Sequence, residues 1–184
     1  MTIYNDIVHV QPIGYVNARL VRRSFLKVGD YLPLKITILD RILVDFRCYA
    51  RNRMQYNATQ LLQSIAEQSG SIDPDYIKVM GVIDEDLFNP ILSYVFGEAR
   101  LGKHVGIVSL KRFREEYYGR ERNTKLMEDR LIKEVLHELG HLYGLVHCQS
   151  PRCVMLLSRS IEDVDSKEST FCMSCEKEFY SNLR

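Results

Sequence analysis

Residues 137–155, HELGHLYGLVHCQSPRCVM, hold three of the chain's five histidines and two of its five cysteines. His137 and His141 stand one helical turn apart, so on a helix both rings reach a single ion from one face. A straight helix would carry His147 about 9 Å further along and roughly 240° around from His141, out of reach of that ion. The chain must therefore leave the helix and fold back, and Gly144 stands where a left-handed residue would end it. Three histidines with a fourth position open describe a catalytic zinc site more than a structural one. Glu138, offset from His137 by about 100° on the helix, can touch a water at the ion without ligating it. The bland alternative is a helix with two surface histidines followed by a chance glycine and histidine. HExxHxxGxxH arises by accident in a chain this long on the order of 1 in 100,000 times, so the metal reading is preferred.

Cys148 and Cys153 are joined further on by Cys172-Met-Ser-Cys175, and the four form a thiolate set with structural-zinc spacing. His147 and Cys148 are neighbours, and in an extended segment their side chains point to opposite sides, so one stretch can serve two metals. A zinc on the four cysteines would staple the C-terminal segment to the helix of the first two histidines, where core burial alone looks thin. The alternatives are a disulfide, a redox-active CxxC or unligated thiols. A reducing compartment and the lack of a thioredoxin-like context disfavour the redox readings. Cys48 stands alone and is expected to be a small buried hydrophobe.

These residues need elements to position them. Ile3–Val10 is β-rich and closes at Pro12 and Gly14, and Asn17–Val28 has near-helical apolar spacing with Gly29 as its stop. Leu34–Val44 is strand-like, Asn57–Gln68 helical, and Tyr76–Ile83 a buried strand. Leu92–Ala99 and Val105–Leu110 are strands joined by a tight turn at Leu101-Gly102-Lys103, hence antiparallel. A long helix is predicted from about Glu121 to Tyr143, and a short one over Cys175–Leu183. The order predicts an α/β (α+β) fold: a twisted, mainly parallel sheet of about five strands, with helices packed on it and one antiparallel edge strand.

At 184 residues the chain reads as one catalytic domain, residues 1–143 building sheet and helices and 144–184 the C-terminal part of the site. A formal net charge of +1 gives no reason to expect nucleic acid or an anionic membrane as a partner. The basic runs at Arg19–Arg23 and Lys111–Arg122 read as solvated faces. No run of about 18 apolar residues is present, so no transmembrane helix is expected. The N-terminus reads as a first strand and not a signal peptide, which points to the cytoplasm. No inhibitory propeptide is expected ahead of that strand, and the protein is expected to be a monomer.

The motif HELGHLYGLVH, then Cys148, Cys153-Val-Met155 and Cys172-x-x-Cys175, resembles the archaemetzincins of the metzincin clan of zinc metalloproteases. VFGEARLG before the helix is similar as well; the motif-bearing likeness covers about residues 94–175. The resemblance implies a metzincin-like fold, a catalytic zinc on His137, His141 and His147, and Glu138 as general base. It also implies a second, structural zinc on the four cysteines and Met155 as a turn beneath the catalytic zinc. Leu157 stands where some relatives of the clan carry a zinc-proximal tyrosine, which leaves Tyr143 or a backbone N–H as candidates for oxyanion help. The expected activity is hydrolysis of a peptide or small protein held by the Leu92–Ala99 edge. The rivals are a non-proteolytic peptide-binding zinc module and hydrolysis of a non-peptide amide. A zinc-finger nucleic-acid binder is disfavoured because no basic surface accompanies the cysteines.

Overall fold

The structure is a computed structural model that describes residues 5–70 and 73–184. The strands are β1 (Ile7–Ile13), β2 (Lys35–Ile38), β3 (Tyr49–Ala50), β4 (Gln55–Asn57), β5 (Ile77–Ile83), β6 (Leu87–Phe88), β7 (Gly97–Ala99) and β8 (Val105–Ser109). The helices are α1 (Ala18–Tyr31), α2 (Ala58–Gln68), α3 (Thr124–Leu142), α4 (Ile161–Ser166) and α5 (Met173–Ser181). Five strands form one sheet in the order β2-β1-β5-β8-β7, parallel throughout except for β7, which runs antiparallel to β8 at the edge. The mixed sheet with an antiparallel edge is as expected. A small second sheet, β3-β4-β6, is an addition the sequence pattern did not show.

Strand alternation sorts the core into two layers. Val8, Val10, Met80, Val82 and Val108 pack with Val21, Phe25 and Val28 of α1 and Leu131, Val135 and Leu139 of α3. Val79, Ile83, Val105 and Ile107 face the other way, onto Leu61, Leu62 and Ile65 of α2. Each such side chain contributes about 1.5–3 kcal/mol on burial, so α3 is seated on the sheet by its apolar stripe. Arg130, 1% exposed, anchors it further through Glu115 at 2.7 Å and Asp165 at 2.6 Å. Among the described residues no helix is long and apolar enough to cross a membrane.

Several boundaries differ from the sequence expectation. Residues 3–4 of the first predicted strand lie outside the described residues, and β1 runs on through Pro12 to Ile13. Helix α1 passes Gly29 and ends at Tyr31; its cap Leu32, the residue before Pro33, is extended because proline disfavours a helical predecessor. Of the predicted Leu34–Val44 strand, Lys35–Ile38 forms β2 and Ile42 adds one isolated parallel bridge to Ile13 of β1. Helix α3 starts at Thr124, since the Asn123 side chain accepts the Leu126 N–H and caps it there. Of Leu92–Ala99 only the last three residues are strand, because Asn89 accepts the N–H groups of Ile91 and Leu92 and turns the chain. The terminal helix covers Met173–Ser181, and α4 appears where no helix was expected, opened by a Ser160–Asp163 capping box.

Candidate active site

Helix α3 brings His137, Glu138 and His141 to its C-terminal end and then stops. Tyr143 is its last half-helical residue and Gly144 follows at φ +88°. Gly144 N–H donates to the His141 carbonyl at 3.0 Å and Leu145 N–H to the Gly140 carbonyl at 2.9 Å, the paired bonds of a glycine-terminated helix. This reversal returns His147 to the first two histidines, with ring centroids 5.3 Å from His137 and 4.8 Å from His141. One donor nitrogen from each ring lies within 4.8 Å of the others.

Backbone carbonyls set the orientation of the two helical rings. His137 Nδ1–H donates to Val154 O at 2.9 Å, and His141 Nδ1–H donates to Leu145 O at 2.7 Å. Both Nε2 atoms then carry lone pairs, and they face each other at 3.2 Å with no proton to share. Two acceptors hold that distance comfortably only around a cation; tetrahedral zinc with bonds of about 2.0–2.1 Å spaces its nitrogens by about 3.3 Å. Burial pushes the basicity of His137 well down, and the Lys167 charge adds to it. Burial also lowers His141 and His147. Neutral imidazoles are the ligating form, so the donor set fits zinc.

The histidines floor a cleft of about 650 Å³. Strand β7 forms one wall and residues 157–159 the other, and Tyr94 O–H donates across to the Arg159 carbonyl at 2.7 Å. Glu138 is 3% exposed, and a Cβ on Gly97 would stand 2.7 Å from its Oε1 and 2.9 Å from the Ile107 carbonyl oxygen. The carboxylate therefore occupies room that only glycine at 97 leaves. Among the described residues Oε2 of Glu138, Glu134 and Glu98 have no hydrogen-bond partner. Burial, then the charges of Glu134 and Glu98, raises Glu138 well above the ordinary carboxylate value.

All five cysteines are free. The Sγ atoms of Cys148, Cys153, Cys172 and Cys175 lie within 4.8 Å of one another, Cys148 to Cys172 at 3.8 Å. Zinc–sulfur bonds of about 2.3 Å space tetrahedral thiolates by about 3.8 Å, so this set fits zinc too. Ser150 N–H donates to Cys148 Sγ and Cys172 N–H to Cys153 Sγ, each at 3.3 Å. The Cys175 backbone N–H holds the Cys172 thiol down to about 7, while burial pushes Cys153 and Cys175 up. Cys48 is buried apart from them against α2, as expected of a small hydrophobe.

The seven predicted ligand residues thus fall into two clusters, with Glu138 beside one and Gly144 at the reversal. Met155 is fully buried against Gly140 of α3, whose missing Cβ its sulfur and methyl replace. Tyr143 is a correction: its ring packs on Phe179 at 4.8 Å and under Lys78, away from the cleft, so it offers no oxyanion help. Leu157 does line the cleft. Sequence reasoning missed Gly97, Gly140, Glu134 and Lys167. A glycine inside a helix costs about 1 kcal/mol against alanine, so Gly140 was the one with a readable signal.

An α/β fold with an edge strand over a helix-borne histidine cluster is the architecture of a zinc metallopeptidase, a hydrolase. The sequence profile of Peptidase family M54 matches residues 20–181, and the chain belongs to that family. It is 36% identical over 168 residues to the archaemetzincin of Methanocaldococcus jannaschii, covering 91% of this chain and 89% of that one. Its fold is similar to the crystal structure of a zinc-dependent peptidase from Methanocorpusculum labreanum. There the TM-score is 0.86 at 27% identity, over 94% of this chain and 99% of the other. The archaemetzincin structure from Archaeoglobus fulgidus matches with a TM-score of 0.79 at 31% identity, over the same shares.

Proposed function

We propose that the chain hydrolyses peptide bonds, with His137, His141 and His147 holding a catalytic zinc and Glu138 acting as general base. A second zinc sits on Cys148, Cys153, Cys172 and Cys175 and has a structural role. The observation that carries the reading is the pair of Nε2 atoms facing each other at 3.2 Å, beside a buried carboxylate at the floor of an open cleft. Zinc held there supplies a Lewis acid that polarises a carbonyl and acidifies a water. Glu138 takes the proton of the attacking water on its carboxylate and delivers it to the leaving amine nitrogen. Its raised basicity suits a group that must both accept and return a proton near neutral pH. The outer edge of β7, unpaired among the described residues, offers main-chain hydrogen bonds to an extended substrate, and the two walls limit the segment that can enter.

The reading includes a peptide or small protein as substrate, a single catalytic domain working as a monomer, and a cytoplasmic setting that keeps the thiols reduced. It is tested by incubating zinc-loaded protein and its metal-depleted form with a diverse peptide pool and reading products by mass spectrometry. New termini in the zinc-loaded sample alone support it; an unchanged pool that the protein nonetheless binds points to a peptide-binding module.

A further inference from the structure

Lys167 is 3% exposed, although lysine is almost never fully buried unless paired. It lies between Cys153 and Cys172, in a segment that runs alongside residues 152–156. Glu168 N–H donates to the Arg152 carbonyl at 2.8 Å, and Val154 N–H to the Thr170 carbonyl at 2.9 Å. This pairing sets the lysine Nζ between the two carbonyls that flank Met155, at 3.1 Å from Val154 O and 2.8 Å from Leu156 O. The Val154 carbonyl is also the acceptor for His137 Nδ1–H at 2.9 Å. One oxygen therefore serves both the lysine and the histidine. Glu134 and Glu138 on α3 supply the opposing charge.

We propose that Lys167 is a positioning residue of the histidine cluster: its ammonium fixes the Val154 carbonyl, which sets the tautomer and ring plane of His137 and aims Nε2 at the metal. The inference rests on reading His137 as a zinc ligand. A carbonyl oxygen has two lone pairs and can accept from both groups. The bond from an ammonium is charge-assisted, about twice as strong as a neutral one, so the lysine is the partner that pins the oxygen. Partners behind a ligating histidine are typically worth about 10–100-fold in metal affinity. The ammonium also repels a cation in the cluster. Glu134 and Glu138 act on the ammonium with the opposite sign, and with orientation as the larger effect removal of the lysine is expected to weaken binding.

The test uses the full chain with Co(II) and Zn(II) as probes in competition with a chelator. Wild type is measured first; absence of any metal at its histidines would overturn the ligand reading itself and not the role of the lysine. Lys167→Met is expected to bind metal at the histidines about 10–100-fold more weakly, with a changed Co(II) d–d spectrum. Its thiolate-to-cobalt charge-transfer band, which reports the cysteine cluster, should stay as in wild type. Lys167→Gln keeps an N–H donor and should fall between the two. Wild-type affinity and spectrum with only a lower melting temperature would reduce the lysine to a packing role and overturn the proposal, as would tighter binding. Failure of both variants to fold would overturn it as well, because the lysine would then be required by the fold rather than by the site.

Discussion

Glu138 sits where a carboxylate is uncomfortable, buried beside two others and against the backbone of β7. Its proton affinity is raised by burial first and by Glu134 and Glu98 next. In the metal-free chain the Glu138 carboxyl is therefore expected to titrate above 4.5, the ordinary value of a glutamate, and an NMR pH titration of the metal-depleted protein checks it. A value at or below that would show a solvated carboxylate. A zinc ion in the histidine cluster adds a positive charge beside the carboxylate and should draw its proton affinity back down. Gly97 makes the second residue-scale prediction. Alanine there collides with Glu138 Oε1 and with the fixed Ile107 carbonyl, so Gly97→Ala should displace the base while sparing the histidines. A misplacement of this kind costs about 10²-fold, and kcat should fall by that order with zinc content unchanged. The histidine spacing, the base and Gly144 were legible because they lie within eleven residues of chain. Gly97 and Lys167 were not, because their roles exist only once distant segments meet.

At the scale of elements, α3 carries the site and the C-terminal segment completes it. His147 adjoins Cys148, and Met155 follows Cys153 closely, so the loop that delivers the third histidine is held by the cysteine cluster. Cys172→Ser removes one thiolate while leaving a good N-cap residue on α5, where the cysteine side chain makes no capping hydrogen bond. A closed zinc site contributes folding free energy directly, so the variant should melt at a markedly lower temperature and lose histidine-bound zinc as well. An unchanged melt and metal content would refute the cysteine assignment. Long elements were readable from period alone; their ends were not, because ends are set by single side chains. Asn123 starts α3 three residues after the expected point, and Pro33 rather than Gly29 stops α1. Strands β3, β4 and β6 are too short to show any alternation, and α4 is announced only by its Ser160–Asp163 capping box.

For the whole molecule, the sheet and α3 pack through an apolar core of their own, and the two clusters lie at and beyond the C-terminal end of α3. His147 is exposed in an open cleft, whereas Cys153 and Cys175 are buried. Elemental analysis of reduced protein should find two zinc ions per chain. Mild chelation should take the histidine-bound ion first and leave circular dichroism nearly unchanged; loss of secondary structure in step with the first ion would contradict that order. The central claim is that the histidines hold the metal and Glu138 moves the proton. The most direct measurement compares peptide cleavage and zinc content in wild type, Glu138→Gln and His141→Ala. Glutamine keeps the size of the side chain but cannot take a proton, so Glu138→Gln should retain its zinc and lose about 10²–10⁴-fold in turnover. His141→Ala should lose both. Cleavage by Glu138→Gln at the wild-type rate would contradict the account.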